Sequence, residues 1–159
     1  MRVLLAFLAA AFCAGSAIGQ TYVAASGSDA AGANRGTAGL PYATLSAAVA
    51  AGAVAVRLSG AEGISAGAGS VSVYGDGVII ESAGGSAAPA TLVCSASGAT
   101  CLVVSGAGSV ELKNLIIDGT ALSGLATSLR PAFGGCLRVE GGALNLTLTS
   151  VVFKGCAAG

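Results

Sequence analysis

Apolar and polar residues alternate along several short stretches of this chain. In SVELKN (109–114) valine and leucine alternate with glutamate and lysine, and in ALNLTLTS (143–150) leucine occupies every second position. A period of two places alternate side chains on opposite faces of a β-strand. The stretches LII (115–117) and VVF (151–153) that follow are apolar throughout, which is typical of short buried strands. The pattern therefore predicts a series of β-strands with at least one buried face.

These strands belong to a repeated unit. The stretch CLVVSGAGSVELKNLIIDG (101–119) recurs as CLRVEGGALNLTLTSVVFKG (136–155), with one residue inserted in the second copy. The alignment matches Val110 with Leu146 and places Asn114 at a tight turn, because asparagine tolerates left-handed backbone angles. The alternative is that Asn114 is a polar surface residue without a structural role. Each unit is predicted to form a strand, a glycine turn, a second strand, a short turn and a third strand.

A fainter first copy is GAGSVSVYGDGVII (67–80), which shares the letters GAGSV with the stretch that begins at Gly106. One such unit cannot bury its apolar face alone, whereas copies stacked about 4.8 Å apart can. Three copies therefore predict an all-β solenoid of about three coils. In this alignment Val71, Val110 and Leu146 form one interior column.

A short helix is predicted ahead of the repeats, over about residues 42–51. Thr44 or a neighbour begins it, Gly52 ends it, and its apolar stripe contains Leu45, Ala48 and Val49. A strand with alternating valine and leucine, AVAVRLSG (53–60), follows. Because the end of a solenoid exposes unpaired backbone groups, we expect the helix to cap the first coil.

The first 19 residues have the layout of a secretory signal peptide. One arginine precedes an apolar run that begins at Val3 and gives way to small residues near Ala14. Cleavage after Gly19 or after Ala17 would release a domain of residues 20–159. The run is shorter than the roughly 20 residues of a membrane span, although an uncleaved anchor is the alternative. We expect no membrane span once the signal is removed.

Export changes the interpretation of the cysteines. Once the signal is removed, four cysteines remain, and in an oxidising compartment they predict two disulfides with three possible pairings. We favour Cys94–Cys101, across the loop SASGAT, together with Cys136–Cys156. A zinc site is the competing interpretation, but the chain has no histidine and no CxxC motif.

Composition narrows the classes of partner. Only 9% of the residues are charged and the formal net charge is zero, so no basic surface for nucleic acid is expected. Much of the 54% hydrophobic share is alanine, interleaved with 26 glycines. Such small residues also permit a low-complexity, disordered alternative.

The opening stretches resemble a known class of protein. TYVAASGSDAAG (21–32), LPYATLSAAVAAG (40–52) and VAVRLSG (54–60) look like the start of right-handed parallel β-helix proteins of the pectate-lyase-like superfamily. The stretch GGCLRVEGGALNLTLTSVVFKGC (134–156) is similar to the repeats of polymorphic outer-membrane-protein-type proteins, except that Cys156 stands where those have asparagine. The resemblance implies a right-handed parallel β-helix with a short N-terminal capping helix.

Enzymes of this superfamily typically cut acidic polysaccharides with carboxylates brought together from adjacent coils. The repeat alignment tests this, and it superposes no two acids: Glu111 falls over Ser72 and Thr147, and Asp118 over Ile79 and Lys154. Without histidine, no Ser-His or Cys-His pair exists either. We therefore expect no catalytic residue, cofactor site or metal site. Asn145-Leu146-Thr147 matches an N-glycosylation sequon on the outward face.

The sequence therefore predicts an exported, non-catalytic β-helix module with a cell-surface, cell-wall or adhesive role, secreted or held outside the cell. Its partners would be extracellular glycans or surface proteins, and its open C-terminal coil would allow edge-to-edge association. Because no polar closing coil follows the last copy, we expect an N-terminal fragment. The alternative is the N-terminal part of a polysaccharide lyase or glycoside hydrolase whose active site lies outside this chain.

Overall fold

A computed structural model describes residues 19–32, 34–60, 62–95, 99–123 and 135–157. These residues form a parallel β-solenoid of about three coils, as the repeats predict. The helices are α1 (Leu45–Ala50) and α2 (Thr120–Ser123), and a 3-10 turn spans Gly85–Ala87. The strands are β1 (Thr21–Ala24), β2 (Ala55–Ser59), β3 (Ile64–Ser65), β4 (Val71–Tyr74), β5 (Val78–Ser82), β6 (Ala90–Val93), β7 (Leu102–Asp118) and β8 (Leu137–Lys154).

Each full coil has three faces, named here in chain order. The first face stacks β4 on residues 102–105 of β7 and 137–140 of β8. The second face stacks β1, β2 and β5 on residues 110–113 and 146–149. The third face stacks β3 and β6 on residues 115–118 and 151–154. All of these pairings are parallel, so side chains at matched positions form columns along the solenoid.

The register between β7 and β8 confirms the alignment of the two long copies. Leu102 pairs with Leu137 and Val110 pairs with Leu146, as the repeat predicts. The inserted residue of the second copy lies opposite the irregularity between Ser105 and Ala107. The two copies therefore superpose because they have the same turns at the same corners.

The alignment of the first copy is wrong. Val71 pairs with Leu102 on the first face, and it is Val78 that pairs with Val110 on the second. The shared letters GAGSV mark glycine-rich turns at two different corners of the coil. The turn before Val71 leads into the first face, whereas the turn at Gly106 leads out of it. Val71 is therefore buried, but not in the column of Val110 and Leu146.

Helix α1 has only six residues, and its ends follow the predicted signals. The Thr44 hydroxyl accepts a hydrogen bond from the Ala47 N–H at 3.2 Å. At the other end the Ala53 N–H donates to the Ala48 carbonyl and the Gly52 N–H donates to the Val49 carbonyl, which is a Schellman motif. The helix begins three residues later than predicted and ends one residue earlier.

The outer edge of β1 is hydrogen-bonded by the chain between Gly36 and Tyr42. The Tyr22 N–H donates to the Gly36 carbonyl at 2.7 Å, and Tyr22 and Ala24 exchange further backbone hydrogen bonds with Tyr42 at 2.9 Å. Leu45 of α1 is fully buried beside this segment. The hydrogen bonds that close the first coil therefore come from residues 36–42, and the role of α1 as a cap stays a prediction.

Candidate functional site

The four cysteines form the pairs that the sequence favours. Cys94 is bonded to Cys101 and Cys136 to Cys156, with Cα–Cα distances of 5.2 Å and 5.3 Å. The disulfide Cys94–Cys101 joins the end of the third face of one coil to the beginning of the first face of the next. Cys136 and Cys156 lie at the two ends of β8, where the first face begins and the third face ends. Cys94, Cys101 and Cys136 are buried, whereas Cys156 is exposed. The bonds therefore reinforce the same corner of the solenoid on neighbouring coils.

Asn145 lies on β8, opposite Ser109, and its side chain is exposed. An N-glycosylation acceptor must be accessible, so the position is sterically compatible with the predicted modification. Glycosylation of Asn145 itself stays a prediction.

The second face carries a charged cluster on its outer side, formed by Arg57, Glu81, Lys113 and Glu111. Arg57, Glu81 and Lys113 occupy one column on successive coils. The Arg57 Nε lies 3.0 Å from Glu81 Oε1, and the Lys113 Nζ lies 2.8 Å from Glu111 Oε2. Each carboxylate of this cluster thus has a cation beside it.

The sequence alignment placed Glu111 over Ser72, and this is also wrong. Glu111 pairs with Ile79, two residues from Glu81 along β5, so the two acids lie on the same face of neighbouring coils. The error follows from the misplaced GAGSV match. The expectation that no two acids superpose holds for this pair, because Glu81 lies over Arg57 and Lys113 and Glu111 lies over Ile79 and Thr147. Both carboxylates are ion-paired.

Asp118 lies at the end of the third face and pairs with Lys154, as the alignment of the long copies predicts. Its Oδ2 is 3.3 Å from the Lys154 Nζ. Hydrogen bonds from the Thr120 hydroxyl and the Thr120 N–H, with a smaller contribution from Lys154, lower the pKa of Asp118 below its usual value. The alignment also placed Ile79 over Asp118, whereas the structure places Val93 there.

Asp29 has a role that sequence reasoning did not assign. Its Oδ1 accepts hydrogen bonds from the Ala43 N–H at 2.7 Å and the Thr44 N–H at 3.1 Å. Its Oδ2 accepts one from the Thr44 hydroxyl at 2.7 Å. The carboxylate thus holds the chain just before α1. An aspartate in a glycine- and serine-rich loop ahead of a helix is the signal that could have indicated it.

Two grooves of about 430 Å³ and 280 Å³ flank the loop between β5 and β6. Pro89 and Ile116 contribute to both grooves. The lining residues of both grooves are uncharged; they are mostly small in the larger groove, whereas leucine, isoleucine and valine contribute half of the lining of the smaller one. These grooves therefore offer van der Waals contact and hydroxyl groups but no ionic partner.

The described residues contain no group of three or more histidine, cysteine, aspartate or glutamate side chains placed to hold a metal ion. Nowhere in the described ranges is a helix long and apolar enough to cross a membrane.

One edge of the solenoid lacks a cover among the described strands. Strand β8 pairs with β7 along one side and with no other described strand along its opposite side, which we call the open edge. Three inward-facing side chains there are 41–51% exposed, whereas the residues above them in β7 are fully buried. The exposed residues are Val139, Leu148 and Phe153, and those above them are Val104, Leu112 and Ile117.

The stretch VVF therefore departs from its prediction as a well-buried strand. Phe153 faces inward and is 41% exposed because no described coil covers it, whereas Val152 faces outward, like Ile116 above it, and is 56% exposed. The equivalent LII stretch in β7 contains the fully buried Leu115 and Ile117, since β6 and β8 lie on either side of it.

Comparisons of this chain with models of protein families, with curated proteins and with solved structures find no significant match.

Proposed function

We propose that this chain is an exported, non-catalytic β-solenoid module with a cell-surface, cell-wall or adhesive role, which presents a rigid surface to extracellular glycans or proteins. The observation that carries the proposal is the pair of disulfides on neighbouring coils, Cys94–Cys101 and Cys136–Cys156. Disulfides form and persist in oxidising compartments such as the cell exterior. They also reduce the conformational freedom of the unfolded chain, which suits a module that works outside the cell.

Export rests on residues 1–19, which we propose to be a cleaved signal peptide. Residues 1–18 lie outside the described residues, so the support comes from their sequence: a basic residue, an apolar run and small residues. The secreted product would then begin near Gln20.

We further propose that the solenoid is right-handed and belongs to the pectate-lyase-like superfamily, with repeats of the polymorphic outer-membrane-protein type. Support comes from the parallel stacking of every coil and from the corner at Asn114, where a single residue separates two faces. Crossovers between parallel strands of one sheet are right-handed in nearly all proteins.

The outer surface supports contact with a neutral partner better than contact with a polyanion. On the second face, Arg57 and Lys113 are each paired with a glutamate. On the first face, Arg138 lies 2.7 Å from Glu140. A cation that already has a carboxylate beside it attracts a further anion less strongly. The charged cluster would therefore orient polar groups of a neutral glycan or a protein.

A second candidate function is the N-terminal part of a polysaccharide lyase or glycoside hydrolase whose active site lies outside this chain. One observation favours it: Glu81 and Glu111 share a face on neighbouring coils, with Arg57 and Lys113 beside them. This candidate predicts that the native secreted protein cleaves an acidic polysaccharide, which release of reducing ends or unsaturated products would report.

The proposal is tested by expressing the tagged full chain beside a variant that lacks residues 2–19 in the same cells. We expect the full chain to be digested when intact cells are treated with protease, or to be found in the medium. Non-reducing peptide mapping should show Cys94–Cys101 and Cys136–Cys156, and it also reports any mass added at Asn145. The truncated variant should stay protected with free thiols.

A role in adhesion is tested with the purified, oxidised chain added to cells of the producing organism. We expect the folded chain to be retained on the cells or their isolated walls, and the reduced and alkylated chain to be washed away. The proposal is wrong if the full chain remains inside intact cells with free cysteine thiols, or if the oxidised and alkylated chains are retained equally.

A further inference from the structure

We propose that the first face carries a binding site for a neutral glycan, in which the ring of Tyr74 packs against the apolar face of a sugar ring. The inference rests on the extracellular role proposed above, and it adds the class of ligand and the residues that would hold it. It depends on α1, β4 and the residues around them, and not on the last coil.

Tyr74 presents an aromatic ring to solvent at the end of β4, where it is 71% exposed. It points outward, because Val71 and Val73 of the same strand are buried and side chains alternate along a strand. The residue beside it in β7 is Ser105, whose side chain is too small to cover the ring. Outside β8, the exposed large hydrophobic side chains of the described residues are Leu40, Val54 and Tyr74.

Two grooves share Tyr74 as a lining residue, and Val49 of α1 also lines both. One groove, of about 330 Å³, extends toward the start of β4 and is lined by Ser46, Ser70 and Ser72. The other, of about 210 Å³, extends toward the start of β5 and is lined by apolar side chains and a glycine. No residue that lines either groove is charged. Apolar walls with a few polar groups are typical of sites that bind small molecules.

The backbone of β4 adds polar groups of fixed direction beside the grooves. The Val71 N–H donates to the Cys101 carbonyl at 2.9 Å and therefore faces β7. Because backbone groups alternate in direction along a strand, the N–H and carbonyl groups of Ser72 and Tyr74 point away from β7. No other described strand pairs with β4. These groups are therefore placed to hydrogen-bond a ligand that lies in the groove lined by Ser72 and Tyr74.

This combination fits a neutral sugar better than a peptide strand or an acidic sugar. Helix α1 packs against β4, so a further strand has no room to pair along the whole of this edge. A sugar needs only short contacts, because its C–H groups pack against an aromatic ring while each of its hydroxyl groups both donates and accepts hydrogen bonds. An acidic sugar would lose hydration of its carboxylate in these grooves without gaining a cation beside it.

The test measures binding of oligosaccharides to the full secreted chain with its disulfides intact. The neutral probes are β-linked hexamers of glucose, of xylose and of N-acetylglucosamine. A hexamer of galacturonate and an uncharged hexapeptide of alanine and serine are the comparisons. In isotope-labelled protein, we expect at least one neutral hexamer to shift the amide signals of Ser72 and Tyr74 at millimolar concentration, and both comparisons to shift them less.

Substitutions of Tyr74 then test the role of its ring. Tyr74→Ala should weaken binding of that hexamer at least about ten-fold, because it removes the aromatic anchor. Tyr74→Phe keeps the ring and should bind within about three-fold of wild type. The matched control, Tyr22→Ala, removes a tyrosine of the second face that lines neither groove, and it should leave binding unchanged. Circular dichroism and non-reducing peptide mapping of each variant separate loss of binding from loss of the fold.

The inference is overturned if no neutral hexamer binds to the folded wild-type chain at several millimolar, or if galacturonate or the peptide binds at Tyr74 at least as tightly. It is also overturned if Tyr74→Ala binds as well as wild type, or if Tyr74→Phe or Tyr22→Ala loses as much as Tyr74→Ala. All of these results leave export and surface retention of the wild-type chain untouched, so the site can fail while the proposed function stands. A chain that stays inside cells with free thiols overturns the proposed function whatever the hexamers do.

Discussion

Asn114 and Ser150 lie one above the other at the corner between the second and third faces, and both have a left-handed backbone. Their φ angles are 54° and 53°, and the residues on either side of each are paired in register. The sequence predicted a tight turn at Asn114, and the register of the two long copies puts Ser150 at the same corner. Asparagine adopts this conformation at little cost, whereas serine has no comparable preference. Ser150 therefore carries backbone strain that Asn114 does not.

Replacing Ser150 by asparagine should stabilise the protein. We expect Ser150→Asn to raise the free energy of unfolding by about 0.5–1 kcal/mol, because the new side chain tolerates the left-handed angle. Denaturant unfolding under oxidising conditions measures the change. The control is Thr149→Asn, on the neighbouring extended residue, which should give no gain. A gain of equal size in both variants would contradict the explanation.

Removal of the Asp29 carboxylate should destabilise the N-terminal part of the solenoid. Asp29→Ala removes the acceptor of three hydrogen bonds, two of them from the backbone N–H groups of Ala43 and Thr44. We expect a loss of about 1–2 kcal/mol in the free energy of unfolding. Asp76→Ala serves as the control, since Asp76 is an exposed aspartate in the turn before β5. Equal effects of the two substitutions would show that Asp29 does not hold this segment.

Stability should fall at acidic pH in part because of Asp118. Its pKa is lowered in the folded protein, chiefly by hydrogen bonds from Thr120. The ionised carboxylate therefore stabilises the fold above the pKa of the unfolded chain, near 3.9, and this contribution is lost as the pH falls through the lower folded pKa.

The variant Asp118→Asn tests this pH dependence. It should be less stable than wild type at pH 7, and the difference should shrink as the pH falls below about 4. Denaturant midpoints measured from pH 7 to pH 2 give both curves. A difference that stays constant across this range would mean that ionisation of Asp118 does not contribute.

The two disulfides should differ in their resistance to reduction. Thiol–disulfide exchange requires the attacking thiolate to reach a sulfur atom. Cys156 is exposed, whereas Cys94 and Cys101 are both 1% exposed. Under mild reduction of the folded protein followed by alkylation, we expect label at Cys136 and Cys156 before Cys94 and Cys101.

Replacing both cysteines of one disulfide by serine, for each disulfide in turn, should show which of the two contributes more to the free energy of unfolding. The longer loop closed by Cys136–Cys156 corresponds to about 3.3 kcal/mol and the shorter loop of Cys94–Cys101 to about 2.5 kcal/mol in the loop-entropy description. Mass spectrometry of labelled peptides checks the order of reduction, and denaturant unfolding checks the order of stability. Label that appears first at Cys94 would contradict the accessibility argument.

The part of the fold that could be predicted from the sequence is the part where two copies have the same turns in the same order. Residues 101–119 and 136–155 align down to the inserted residue near Ser105, because alternation and corner residues agree throughout. The copy at 67–80 was misaligned because glycine-rich turns occur at more than one corner. Glycine permits a turn without specifying which face follows it.

The contacts that the sequence could not predict join residues far apart in the chain. Asp29 reaches Thr44, and Tyr22 reaches Tyr42, through a loop with no repeated counterpart. The proximity of Glu81 and Glu111 depended on the register of β5 against β7, which the first alignment had wrong. Local patterns define strands and turns, whereas a site on a solenoid depends on which strands lie above each other.

The register of the coils is tested most directly by methyl–methyl nuclear Overhauser effects in the folded chain with labelled valine and leucine. The structure predicts contacts from Val110 to both Val78 and Leu146, and from Val71 to Leu102. Contacts between Val71 and Val110, with none between Val71 and Leu102, would contradict the stacking described here and support the register suggested by the shared GAGSV letters.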